Sequence, residues 1–223
     1  MKISETAPNA DERRASYHHG DLAAALKTVA VELIAQRGVE GFSLREAAVA
    51  LKVSPSAAYR HFASKADLLA AVSEDALAEL AECFRCAMDA VATTKNPGRL
   101  AVARFQALGR AYVRFALDHP ARFQAIFGLS STCEARQANT DSSATEHAHA
   151  APYLILCSVL DDLRVAKVIG KSGRTEAEVT AWSAIHGLAS LMVAGMLPTP
   201  STEEVEALTD QVTGRVVRAF TLK

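Results

Sequence analysis

Long hydrophobic runs are missing from this chain of 223 residues. No stretch approaches the roughly 18 consecutive apolar residues that a membrane span requires. The first sixteen residues, MKISETAPNADERRAS, are polar and have no apolar centre, which predicts a flexible N-terminal arm over 1–16 and no secretory signal. Cysteine is scarce, four in all and without the spacing of a disulfide framework, so a reducing, cytoplasmic setting is expected. Cys83 and Cys86 form a C-x-x-C, yet within a helical pattern and without a second ligand pair. His147 and His149 likewise stand in a polar segment with no matching carboxylate or cysteine. Neither pair is assigned a metal. No phosphate loop, nucleophile–base pair or paired-carboxylate motif stands out, so no catalytic residue or cofactor is expected.

Aromatics make up only 6% of the chain and alanine is abundant, which disfavours sheet and favours helix. No strand candidate and no internal repeat emerges. The net charge of −1 is uninformative, but its distribution is not. Between Ser43 and Ala66, Arg45, Lys52, Arg60 and Lys65 oppose Glu46 alone. A local cationic surplus on a chain otherwise net acidic suits a polyanion held at one place.

The helices can be read from their periodicity and caps. Leu22, Leu26, Val29 and Leu33 mark one face of a first helix that stops at Gly38. Ser43-Leu44-Arg45-Glu46 reads as a capping box opening a short second helix over 43–52. Ser54 followed by Pro55 opens a third over 54–61, and Ser64 a long fourth. Two short helices joined by so few residues form a helix-turn-helix. Beyond the break at Lys95–Gly98, Phe105, Leu108, Tyr112 and Phe115 stripe a fifth helix. A short sixth follows Pro120, a mobile loop is expected over 129–148, and helices resume from Pro152 to the end.

In such a motif the second short helix enters the major groove. Ser56, Ala57 and Ala58 are small enough to let its axis approach the bases, where serine can bond edges and alanine can touch a thymine methyl. Tyr59, Arg60 and His61 have the reach for phosphates. Lys65 and Ser43 open helices, where an anion is favoured. The candidate DNA contacts are therefore Ser43, Arg45, Lys52, Ser54, Ser56, Ala57, Tyr59, Arg60, His61 and Lys65. The bland alternatives are a solvated charged face, a core tyrosine at 59 and a merely capping Ser43.

Tyr59-Arg60-His61-Phe62-Ala63-Ser64-Lys65-Ala66-Asp67-Leu68-Leu69 resembles the Y-x-H-F-x-x-K-x-x-L-L signature of TetR-type transcriptional repressors, and Ser43–Ala48 and Val53-Ser54 fall at that family's spacing. The resemblance spans about residues 17–72. Trp182-Ser183-Ala184-Ile185-His186-Gly187 is similar to the W-x-x-x-H-G signature of the WHG subgroup, and Tyr17–Leu22 to its lead-in, with His18-His19 as an arm feature near DNA. Lys52 departs from the family's glycine, and Ala47 and Ala58 replace larger aliphatic residues.

The resemblance implies an all-α dimer: a DNA-binding head over 17–72, and a helical effector-binding and dimerisation domain over 73–223. It places an apolar effector pocket where Phe105, Tyr112, Phe123 and Phe127 cluster, although core packing alone would also concentrate aromatics there. Trp182 and His186, one turn apart, either pack at a helix interface or line that pocket or the dimer contact. The stripes of the last two long helices point to Trp182, Ala189, Val193, Val205, Leu208, Val212 and Val216 as dimer contacts. The expected protein is a repressor that binds a palindromic operator and leaves it when a small apolar or amphipathic effector binds. The rival is an all-helical small-molecule binding protein or enzyme whose helix-turn-helix does not bind DNA.

Overall fold

Alanine-rich segments bounded by serine, asparagine or glycine become helices throughout. The computed structural model describes residues 19–128, 143–198 and 201–221, with side chains placed over 22–127, 151–198 and 201–221. Among the described residues there is no strand. The chain divides into two compact units, one ending at Val72 and the other beginning at Ser73.

In the first unit, helix α1 (His19–Arg37) ends where Gly38 turns to φ 74° and donates to the Ile34 carbonyl at 2.8 Å. A single 3-10 turn (Val39–Gly41) leads to α2 (Leu44–Ala50). Ser43 caps α2, its Oγ accepting the Glu46 backbone N–H at 3.2 Å and donating to the Glu46 carboxylate at 3.0 Å. The expected capping box is thus drawn inward: glutamate meets the serine hydroxyl, and Arg37 holds its other oxygen at 3.0 Å. Helix α3 (Pro55–Tyr59) starts on Ser54, whose Oγ accepts the Ala57 N–H at 3.2 Å, with Pro55 in the first turn where no N–H is needed. Helix α4 (Lys65–Asp89) is capped by Ser64 through the Asp67 N–H at 3.1 Å. Leu26, Ile34, Leu44 and Leu68, each 1% exposed or less, form the centre of this unit. Full burial is worth roughly 1.5–3 kcal/mol for each such side chain. Ala47 and Ala58 are also fully enclosed, so small residues suffice where α2 and α3 pack.

The turn between α2 and α3 carries the backbone departure. Lys52 takes φ 58° and donates to the Val49 carbonyl at 2.9 Å, while Val53 donates to Ala48 at 3.0 Å. That pair of bonds is a Schellman closure with lysine in the left-handed position that glycine usually fills. The same closure recurs at Lys167 (φ 58°) and at Gly195 (φ 70°).

The second unit is built around α5 (Pro97–Asp118), capped by Asn96, whose Oδ1 accepts the Arg99 N–H at 3.0 Å. Its Phe105, Leu108, Tyr112 and Phe115 stripe is buried against α6 (Pro120–Gly128), α7 (Ser143–Val165), α9 (Ala177–Val193) and α10 (Thr202–Thr221), with the short α8 (Lys171–Arg174) before α9. Of the expected loop over 129–148, residues 143–148 are helical and 129–142 lie outside the described residues. Helix α7 therefore begins ahead of Pro152, which sits inside it rather than at its start. The alanine-rich run before the proline carries enough helix propensity to extend the element. Thr209 and Thr213 are fully buried, and their hydroxyls donate to the Val205 and Thr209 carbonyls at 2.8 and 3.0 Å.

A left-handed lysine costs about 1–2 kcal/mol, and glycine gives back part of that as unfolded-chain freedom. Lys52→Gly should raise the urea-unfolding free energy by roughly 0.5–1 kcal/mol. A decrease would mean that the lysine side chain itself holds the turn.

Candidate nucleic-acid interface and apolar cavity

A serine cap, a proline and three small residues place α3 with one side against the head and the other free. Ala58 faces inward and is fully buried, while Ser54, Ser56, Tyr59 and Arg60 are exposed, Tyr59 to 50%. The alternative of a core tyrosine at 59 fails on that exposure. Arg45 on α2 and Lys52 in the turn are exposed as well, and Ser43, Ala57 and His61 are half-buried. A serine, a tyrosine hydroxyl and three cations thus share one small module with little to shield them. Two of the assigned residues are partly committed within the head. Ser43 is spent on Glu46, and the bond to Ser43 is the largest influence holding that exposed carboxyl below its ordinary range. Lys65 donates from Nζ to the Glu40 carbonyl at 3.2 Å and lies 4.9 Å from the centre of the Phe42 ring. An ammonium has three donors, so this lysine keeps capacity for an anion while being fixed in place.

In the second unit Tyr112 is the hub of an aromatic cluster. Its ring lies 5.9 Å from Phe123, nearly edge-on at 83°, and 6.3 Å from Trp182 at 70°. Phe84, Phe127 and His186 stand at 6.3, 6.5 and 6.3 Å. Such tilted pairs add about 0.5–1.5 kcal/mol each beyond their buried area. The Tyr112 hydroxyl is 2.9 Å from His186 Nδ1, and Ser190 Oγ is 3.4 Å from Nε2. Burial pushes the phenol up, against a smaller downward pull from the Trp182 indole, and burial pushes the imidazole down. Both groups are therefore held neutral.

Beside this cluster lies an apolar cavity of about 40 Å³ between α4, α5, α7, α9 and α10. Of the assigned pocket residues, Phe105, Tyr112 and Trp182 line it. Phe123, Phe127 and His186 instead pack against Tyr112 without lining it. Sequence reasoning missed Phe84, Gly109, Pro152 and Leu156, which the lining includes. Only the aromatic Phe84 carried a signal, and it lies one helix away from the cluster that drew attention.

Of the residues assigned to a dimer contact, two are enclosed within this single chain and the other five are half-buried in it. Ala189 is fully enclosed and Val216 is 7% exposed, both in the core of their own unit. Val193, Val205, Leu208 and Val212 pack against that same core, and Trp182 lines the cavity. An apolar stripe covers its own protomer first. The faces left open on α9 and α10 carry Val179, Ser183 and Leu191, and Ala207 and Gln211.

An exposed, cationic helix-turn-helix on a chain that continues into an all-helical unit defines a transcriptional regulator. Residues 26–72 match the bacterial regulatory proteins of the tetR family, and residues 105–216 match the tetracyclin repressor-like C-terminal domain. The chain belongs to the TetR family. It is similar to a protein of unknown function from Rhodococcus sp. RHA1, with 27% identity and a TM-score of 0.72 over 92% of this chain and 98% of that one. A tetR-family regulatory protein from Rhodococcus RHA1 shares 19% identity at a TM-score of 0.64, covering 91% and 98% of the two chains. The TetR family transcriptional regulator PfmR from Thermus thermophilus shares 19% at 0.61, covering 86% and 97%. The last two likenesses are of fold. No curated protein matches the chain. Among the described residues no group of side chains could hold a metal ion, and no helix is long and apolar enough to cross a membrane.

The depressed imidazole makes stability depend on pH. An unfolded His186 titrates near its ordinary value, about 6.5, and the folded one below it. The folded state then binds fewer protons, so stability is full above the unfolded value and falls as pH drops through the folded one. His186→Gln should flatten this part of the decline, measured by urea unfolding between about pH 7 and 5. An unaltered profile would assign the decline to other groups.

Proposed function

We propose that this protein is a ligand-responsive repressor that binds a palindromic operator as a dimer. The observation that carries the reading is the exposure of Ser56 and Tyr59 on a five-residue helix, and of Arg60 at its C-cap, the helix being capped at its start and buried only through Ala58. Ser56 and Ala57 are the base-reading positions, and Arg45, Lys52, Tyr59, Arg60 and Lys65 are the phosphate contacts. His61 adds reach at the end of α3.

Two such heads related by a twofold would read half-sites about 34 Å apart. The twin would meet this protomer across the faces of α9 and α10 that bear Ser183, Leu191, Ala207 and Gln211, because the inward stripes are already used. The effector would occupy the cavity beside Tyr112. Helix α4 runs unbroken from the head past Val72, so a displacement there can reach the reading helix through the chain itself. A 100-fold loss of operator affinity requires the effector to favour the released state by about 2.7 kcal/mol, an ordinary coupling energy.

A mobility-shift titration on the DNA upstream of the protein's own gene tests the reading. Wild type should bind it over unrelated DNA, and Arg60→Ala should weaken both and reduce the salt slope by about 1. No binding to either DNA would favour a small-molecule binding protein with an idle head, and an unchanged slope in Arg60→Ala would remove that arginine from the phosphate contacts.

A further inference from the structure

The cavity beside Tyr112 has a lining chemistry that constrains its occupant more tightly than "small and apolar". Among the described residues no charged side chain lines it. Thr213 does, but the one proton of its hydroxyl is shared between the Thr209 and Asp210 carbonyls at 3.0 and 3.2 Å and is not offered to a guest. The Tyr112 hydroxyl is engaged with His186. That oxygen keeps room for one more hydrogen bond in either tautomer of the imidazole, because a hydroxyl both donates and accepts. An anion entering here would be stripped of water and left unpaired.

The walls are aromatic on several sides: Phe84, Phe105, Tyr112 and Trp182. Flat rings meet such walls edge-on or offset-stacked, geometries that a flexible alkyl chain cannot reproduce. Gly109 lets α5 and α10 approach closely at the far wall, since a Cβ there would stand 2.7 Å from the Thr213 methyl. Among the described residues every lining residue is buried except Trp182, which is half-buried, so the opening they leave lies past its indole. Tyr153, 42% exposed, stands beside it with ring centres 6.2 Å apart and planes at 37°. The closed volume, about 40 Å³, is smaller than a benzene-sized cavity of order 150 Å³. A guest must therefore displace an aromatic wall, and Trp182 is the one with open space beside it.

We propose that the cavity takes an uncharged, flat aromatic molecule of one or two rings with at most one hydroxyl, amide or carbonyl group, admitted past Trp182 and Tyr153. This rests on the effector-cavity reading given above. Entry turns the indole away from Tyr112, so the aromatic cluster that includes Phe123 and Phe127 of α6 loses one of its supports.

Trp182 is the single tryptophan of the chain, so it reports on its own doorway. Energy transfer from Trp182 to prodan, a neutral two-ring probe with one carbonyl, reads occupancy, and competitors then displace the probe at about pH 7.5, where naphthoate is ionised. β-Naphthamide should displace it at a concentration roughly a hundredfold lower than β-naphthoate, which has the same outline but a charge. It should act at a concentration about tenfold lower than decyl alcohol, which is neutral but not flat. Equal potency of the naphthoate overturns the uncharged class, and equal potency of the alcohol overturns the aromatic one. Absence of energy transfer at any probe concentration defeats the cavity as a ligand site, a separate failure. Ala181→Val, which fills the cavity from a buried lining position, should abolish transfer while the helical circular dichroism is unchanged. Should that variant not fold, Leu156→Phe fills the same space. Undiminished transfer in a folded filler variant would place the probe elsewhere and overturn the proposal.

Discussion

The turn from Leu51 to Ser54 must end one helix and begin another within four residues while leaving the second helix exposed. It does so by turning Lys52 left-handed, closing two carbonyls of α2 onto Lys52 and Val53, and restarting at once on the Ser54 cap. Everything that α3 presents follows from that reversal. Were the closure looser, Ala58 would not seat against the head, and Tyr59 and Arg60 would not hold a common outward face. A glycine would satisfy the backbone more cheaply. Lysine satisfies it at some strain and puts a cation beside the reading helix, a trade consistent with strain being tolerated where function is carried.

In the second unit the corresponding constraint is the Tyr112 hub. Five rings converge on one phenol, and its hydroxyl is matched to a neutral imidazole rather than to a charge. Charged groups sit at the margins of the bundle. Arg110 grips both oxygens of Asp210 at 2.7 Å, and Arg122 pairs with Glu79, to which His119 also comes within 3.7 Å. Ion pairs this exposed contribute at most about 1 kcal/mol each, so they orient α10 and α6 rather than hold them. The interior is left apolar and incompletely filled, which is the condition for a guest.

Most of the architecture was legible because the punctuation was strong. Ser43, Ser54 and Ser64 each accept the backbone bond their position implied, and Gly38 ends α1 as its left-handed freedom allows. The start of α7 was not legible, because Pro152 reads as a beginning when nothing before it is periodic. The pocket was half legible. Phe105, Tyr112 and Trp182 line it, but Phe123 and Phe127 lie on α6 at the right spacing and only support it. Aromatic clustering along a chain marks a core; it does not say which face of each ring looks into empty space.

The same limit governs the last two helices. Periodicity at Val205, Leu208, Val212 and Val216 identified an apolar face correctly, and the core of the same unit covers it. What the chain determined by itself was local: helix ends, the helix-turn-helix spacing and the exposure pattern of α3, all set by hydrogen bonds within a few residues. Only the packing of α5 against α7, α9 and α10 decided which stripes are spent on the protomer and where a cavity is left over. Those outcomes depend on volumes contributed by residues far apart along the chain, and no short stretch of sequence contains that sum.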